Sequence, residues 1–114
     1  MSLPESLLDR VKQQLSAYCA RKLRTTINPH CRLAHEIDGL TVTLFHECRG
    51  NERTEQWIQL ALARFEFDPR SAMWSLYCRD VNNCWQPYRH VESVRDLGAL
   101  LHAIDTDKTG QFRA

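Results

Sequence analysis

Apolar and polar residues alternate along Met73 to Arg79, with Trp74, Leu76 and Cys78 on one side and Met73, Ser75, Tyr77 and Arg79 on the other. A period of two marks a half-buried strand. The pattern stops at Asp80 to Asn83, a run with turn chemistry, and resumes through Cys84, Trp85, Gln86, Pro87 and Tyr88. Asn82-Asn83 suits a type I′ turn, because asparagine tolerates positive φ better than most side chains. That turn sets Val81 opposite Cys84 and Cys78 opposite Pro87. Trp74, Leu76, Cys78, Trp85 and Pro87 then share the more apolar face, taken as core, and Tyr77, Arg79, Gln86 and Tyr88 share the other. A three-residue loop would shift the pairing by one and turn the second strand over. Pro87 has no amide hydrogen to donate and predicts an edge strand or a strand end.

The remaining chain divides by the same criterion. Residues 2 to 23 carry Leu7, Leu8, Val11, Leu15, Tyr18 and Cys19 at helical spacing, with Ser2 and Glu5 at capping-box spacing. Thr25 to Pro29 is predicted as a loop. A short strand over 31 to 37, an Asp38-Gly39 turn and a second strand from Leu40 to Arg49 form a hairpin. Gly50 to Gln56 is polar and reads as a loop. Trp57 to Phe67 is apolar on both sides, with Ile58, Leu60 and Leu62 on one and Trp57, Ala61, Ala63, Phe65 and Phe67 on the other, which suits a central strand. Asp68-Pro69-Arg70-Ser71 is a turn into the next strand. Ser93 to Asp105 is predicted as a closing helix, with Leu97, Leu100, Leu101 and Ile104 buried and Ser93 and Asp96 at cap spacing. The expected fold is α+β: an N-terminal helix, about five antiparallel strands in a meander, and a C-terminal helix.

The length of 114 residues predicts one domain, residues 1 to 114, with a core of its own. The formal net charge of +1 does not suit a globally basic nucleic-acid binder. Arginine far outnumbers lysine, which favours planar contacts to carboxylates and phosphates where any cation is used for binding. Five cysteines, an odd number without short repeated spacing, together with an N-terminus lacking a basic and apolar leader pattern, predict a reduced cytoplasmic protein. No apolar stretch approaches membrane-spanning length, so no membrane association is expected.

These residues invite several chemistries. Structural zinc is usually held by paired ligands such as Cys-x-x-Cys, and none is present; no metal and no cofactor is expected. Asp105 to Gly110 resembles the opening of a calcium-binding EF-hand loop but lacks the glutamate at the twelfth position. Asp38, Glu47 and Arg49 imitate part of a magnesium-dependent nuclease site, with arginine where that chemistry uses lysine. No nucleophile elbow and no phosphate-cradling glycine loop occurs. The aromatic and arginine side chains Tyr77, Arg79, Gln86 and Tyr88 are the candidate binding face, able to stack bases or to anchor a protein.

The run Trp74, Leu76-Tyr77, Arg79-Asp80, Asn82, Trp85 and Tyr88 resembles the core signature of a bacterial family known as domain of unknown function 3024. Val42-Thr43-Leu44-Phe45, Trp57, Ala63-Arg64-Phe65 and Asp68-Pro69 resemble its earlier strands. Asp96-Leu97, Leu100, Ile104-Asp105, Asp107, Thr109-Gly110 and Phe112 resemble its C-terminal helix and tail. The segment after Phe45 departs from the family pattern of charged residues followed by proline. The resemblance implies a small bacterial domain and no particular reaction. The expected function is therefore a small non-catalytic binding or adaptor domain whose partner is a protein or single-stranded nucleic acid. The alternative is a metal-dependent nuclease-like hydrolase using Asp38, Glu47 and Arg49.

Overall fold

A computed structural model of the chain describes residues 2–25, 31–49, 57–80, 82–89 and 91–106. Helix α1 (Glu5–Thr25) is followed by strands β1 (Cys31–Asp38), β2 (Thr41–Arg49), β3 (Trp57–Asp68), β4 (Met73–Arg79) and β5 (Trp85–Pro87), and then by helix α2 (Leu97–Thr106). The strands form one antiparallel sheet in the order β1-β2-β3-β4-β5. The expected α+β meander between two helices is what the chain builds. No helix among the described residues is long and apolar enough to cross a membrane.

Both helices lie on one face of the sheet. Helix α1 packs over β1, α2 packs against β4, and the helices touch each other. The core between the layers takes Val11, Leu15 and Tyr18 from α1, and Leu97, Leu100, Leu101 and Ile104 from α2. The sheet contributes Val42, Leu44, Ala63, Phe65, Phe67, Trp74, Leu76 and Cys78. Successive side chains of a strand point to opposite faces, so the alternate residues of β2, β3 and β4 reach this layer together. Trp74 is fully buried, with its ring centroid 5.0 Å from that of Phe67 at a tilt of 54°. Burying a large apolar side chain of this kind contributes about 1.5–3 kcal/mol, which is why the Trp74 strand anchors the layer.

Four local features differ from the sequence reading. Helix α1 begins at Glu5, with Pro4 O accepting the first helical bond from the Leu8 N–H, so Ser2 does not cap it. Helix α2 begins at Leu97 rather than at the Ser93 spacing. Its cap is Asp96, whose Oδ1 accepts from the Gly98 N–H at 3.0 Å. Before the cap, Val94 exchanges two backbone bonds with Trp74 and continues the sheet edge.

The third difference is in β3. Leu44 pairs with Ala63 but Phe45 pairs with Ala61, so the strand carries a bulge at Leu62. An extra residue reverses the alternation beyond it. Ile58 and Leu60 therefore pair with Cys48 and His46 on the helix-facing side, not on the side opposite Ala63 and Phe65. The helices do not reach that end of the sheet, and Ile58 is 68% and Leu60 48% exposed.

The fourth is the register of β4 and β5. Tyr77 pairs with Pro87, Cys78 with Gln86 and Arg79 with Trp85. Asp80 and Cys84 close the turn, with Asn83 at φ 61°. One carboxylate organises it: Asp80 Oδ1 accepts from the N–H groups of Asn82 and Cys84, and Oδ2 accepts from the Gln86 amide. The Cys84 N–H foremost, joined by Asn82 and Gln86, holds the Asp80 carboxyl below its usual value. These bonds favour the wider loop over the two-residue turn, and the one-residue shift turns β5 over.

Candidate functional site

The face of the sheet away from the helices carries the polar and aromatic side chains that have no core to enter. Across β1, β2 and β3, Arg32, Glu47 and Gln59 form one row of directly opposed residues. Glu36, Thr43, Arg64, Tyr77 and Pro87 form another, running across all five strands. Next to it, Arg79 faces Trp85, with the guanidinium carbon 5.9 Å from the ring centroid.

The Glu47 row is self-contained. Glu47 is only 5% exposed, and its two oxygens accept from Arg32 Nε at 2.9 Å and from the Gln59 amide. The Gln59 bond, with the bond and charge of Arg32, outweighs burial and holds this carboxyl below its usual value. The row is a satisfied ion pair and offers no vacancy to a ligand.

The Arg64–Tyr77–Arg79–Trp85 patch is different. Arg64 Nη2 pairs with Glu66 at 3.3 Å, but the buried Nε of Arg64 and that of Arg79 have no hydrogen-bond partner among the described residues. A buried donor without an acceptor costs about 1–3 kcal/mol. Arg79 lies diagonal to Arg64 across β3 and β4, a separation of about 7–8 Å for such neighbours. Burial, with the charge and hydrogen bond of Glu66, pushes the Tyr77 hydroxyl above its usual value, so it stays a neutral donor at physiological pH.

The four predicted binding residues do not lie on one face. Tyr77 and Arg79 are on the open face as expected. Gln86 and Tyr88 are turned to the helix side by the register of β5. Tyr88 is buried in the core, and its N–H donates to Leu76 O at 2.8 Å. Trp85 and Pro87, expected in the core, take the vacated places on the open face. The signal that identifies Trp85 is the three-residue loop, set by the acceptor capacity of Asp80.

Asp38 does not meet Glu47 and Arg49, which share a face at the other end of β2. Asp38 pairs with Thr41 at one end of the hairpin, and Glu47 pairs with Arg32 near the other. Six residues of strand separate Thr41 from Glu47, about 20 Å. Asp38 instead lines a cleft of about 210 Å³ with Glu36, Thr41, Thr43 and Arg64. Of the EF-hand-like run, residues 107 to 110 lie outside the described residues. Asp105 itself is held by Tyr18, Arg21 and Lys22 at the helix–helix junction.

The cysteines require a correction. All five were expected as thiols, yet Cys31 and Cys48 are joined as a disulfide across the directly opposed positions of β1 and β2, with Cα atoms 4.1 Å apart. Cys19, Cys78 and Cys84 take part in no disulfide among the described residues. His46 lies two residues from Cys48 on the same face, with Nδ1 3.5 Å and Nε2 3.7 Å from the Cys48 sulfur. One ligating atom from each of Cys31, His46 and Cys48 falls within 4.8 Å of the other two. This is the candidate metal-holding group among the described residues. It was hidden in the sequence because Cys31 is seventeen residues from Cys48.

Comparison with known proteins finds no curated protein and no solved structure that matches the chain. A family model matches residues 3–114, which takes in the whole fold described above. The chain belongs to the family described as Domain of unknown function (DUF3024).

Proposed function

We infer that this domain is a binding module without catalysis of its own, and that its ligand is a segment of a partner protein docking on the open face of the sheet. The observation that carries the reading is the pair of arginines, Arg64 and Arg79, each with a buried Nε lacking an acceptor, beside Trp85 and Tyr77. A guanidinium matches a carboxylate, and Trp, Tyr and Arg supply much of the binding energy at protein interfaces. An acidic residue next to an apolar one on the partner would complete both. The carboxylates Glu36, Asp38 and Glu66 on the same face favour a protein over nucleic acid, because a run of phosphates would have to pass them whereas a single acidic side chain beside the arginines need not. A bacterial cytoplasmic setting belongs to this reading, and it requires the Cys31–Cys48 disulfide to be one that cellular reductants can open.

The test is affinity capture with four baits: the wild type, Arg79→Ala, Trp85→Ala and, as an exposed control on α1, Lys12→Ala. A specific partner should be retained by the wild type and Lys12→Ala, and reduced at least tenfold by the other two. A partner retained equally by all four would sink the reading. In parallel, a labelled sample is titrated with a short single-stranded DNA. Salt-sensitive shifts at Tyr77, Arg79 and Trp85 would replace the protein partner with a nucleic acid.

A further inference from the structure

We propose that Cys31, His46 and Cys48 form a redox-gated site for a borderline-soft divalent ion of the zinc class, closed by the disulfide and opened by its reduction. The argument starts from strand geometry. Residues two apart on a strand share a face, which places His46 beside Cys48. Cys31 is directly opposite Cys48 on the neighbouring strand. Three ligands are thereby brought to one spot by two paired strands, without any loop having to order.

The distances suit the ion. Tetrahedral zinc with bonds of about 2.3 Å to sulfur and 2.0–2.1 Å to nitrogen needs a sulfur–nitrogen separation of about 3.6 Å. The two ring nitrogens of His46 lie 3.5 and 3.7 Å from the Cys48 sulfur, close to that separation, and a turn of the ring about its Cβ–Cγ bond aims one lone pair at the ion. The same geometry asks the two sulfurs to stand about 3.8 Å apart. Two unbonded thiols on opposed residues move towards that separation once the covalent bond is cut. Two thiolates and one neutral imidazole cancel the charge of a divalent ion and leave a fourth position for water or an outside ligand. The neighbours Ile58 and Leu60 flank the group on β3 and are themselves exposed, while Cys31 is buried beneath.

The gating step balances with a dithiol reductant of the thioredoxin class. One of its thiolates attacks a sulfur of the Cys31–Cys48 bond, forms a mixed disulfide and releases the other cysteine. Its second thiol resolves the mixed disulfide, leaving the reductant oxidised by two electrons and Cys31 and Cys48 as thiols. Binding of the ion then displaces one proton from each thiol to solvent. In the reverse direction a small-molecule disulfide takes up two electrons and two protons, the Cys31–Cys48 bond re-forms and the ion leaves.

The experiment uses the full chain, reduced with a phosphine under nitrogen or oxidised to the disulfide, and Co²⁺ as the spectroscopic probe with Zn²⁺ as competitor. The reduced protein should take one equivalent of Co²⁺, with a thiolate-to-metal charge-transfer band that Zn²⁺ abolishes. The oxidised protein should show no band. Cys31→Ser and Cys48→Ser should remove it, His46→Ala should weaken binding at least tenfold, and the Cys19→Ser, Cys84→Ser double variant should keep it. In the wild type, Zn²⁺ should protect Cys31 and Cys48 from alkylation while Cys84 remains labelled, a readout that needs no variant to fold. The proposal is overturned if the reduced wild type binds no tighter than Cys31→Ser, if the oxidised form binds equally, or if protection falls on other cysteines.

Discussion

Ala72 sits at φ 56° in the turn between β3 and β4, where its N–H donates to Asp68 O at 2.8 Å. A side chain in left-handed backbone costs about 1–2 kcal/mol, and glycine escapes that cost while losing more entropy on folding. Ala72→Gly should therefore raise stability by about 0.5–1 kcal/mol, read as a higher urea midpoint at unchanged slope. Asn83 at φ 61° is the contrasting case, because asparagine is the residue that tolerates this region best after glycine. The residue scale also shows why the open face of the sheet was half legible. Alternation placed Tyr77 and Arg79 correctly, because β4 has no irregularity. Gln86 and Tyr88 were misplaced because Asp80 accepts three hydrogen bonds that fix a wider loop, and no periodicity within β5 reports on its neighbour's register.

At the scale of elements, five strands and two helices were readable from periodicity, since α1, β2, β3, β4 and α2 each bury one face against the same layer. Their ends were less readable. The spacing of Ser93 and Asp96 pointed to a cap three residues early; in the fold Ser93 hydroxyl bonds Ser75 across the edge of β4, and Asp96 does the capping. Asp96 Oδ1 also accepts from Gln14 of α1. Asp96→Ala should cost about 1 kcal/mol, the usual value of a cap, measured by chemical denaturation. The turn between β1 and β2 falls at Gly39-Leu40, with Gly39 at φ 59°, rather than at Asp38-Gly39. That single step decides whether His46 or Cys48 stands opposite Cys31, and so whether a disulfide can form. The bulge at Leu62 was equally invisible, because Trp57 to Phe67 is apolar on both sides and either phase satisfies the pattern.

At the scale of the whole molecule, the two helices are tied by two carboxylates, Asp96 at the start of α2 and Asp105 near its end. Asp105 of α2 receives Tyr18, Arg21 and Lys22 of α1. Burial raises its carboxyl, but the bonds from Lys22 and Tyr18 and the charges of Lys22 and Arg21 prevail and hold it below the usual value. A depressed carboxyl contributes stability that is present above its unfolded value, near 3.8, and is lost as pH falls through the folded one. Asp105→Asn should be less stable than the wild type by about 1–2 kcal/mol at pH 7, with the gap closing as the pH is lowered from about 4 to 2. A gap that persists at pH 2 would mean that packing, not charge, links the helices.

That link joins Tyr18 to a residue 87 positions later, whereas every strand pairs with its neighbour in sequence. A ribosome making about 5–20 residues per second delivers α1 roughly 4–17 s before α2 exists to meet it. Through that interval the Val11, Leu15 and Tyr18 stripe has at most part of its final cover. The apolar stripe of α1 therefore completes its burial only when α2 emerges.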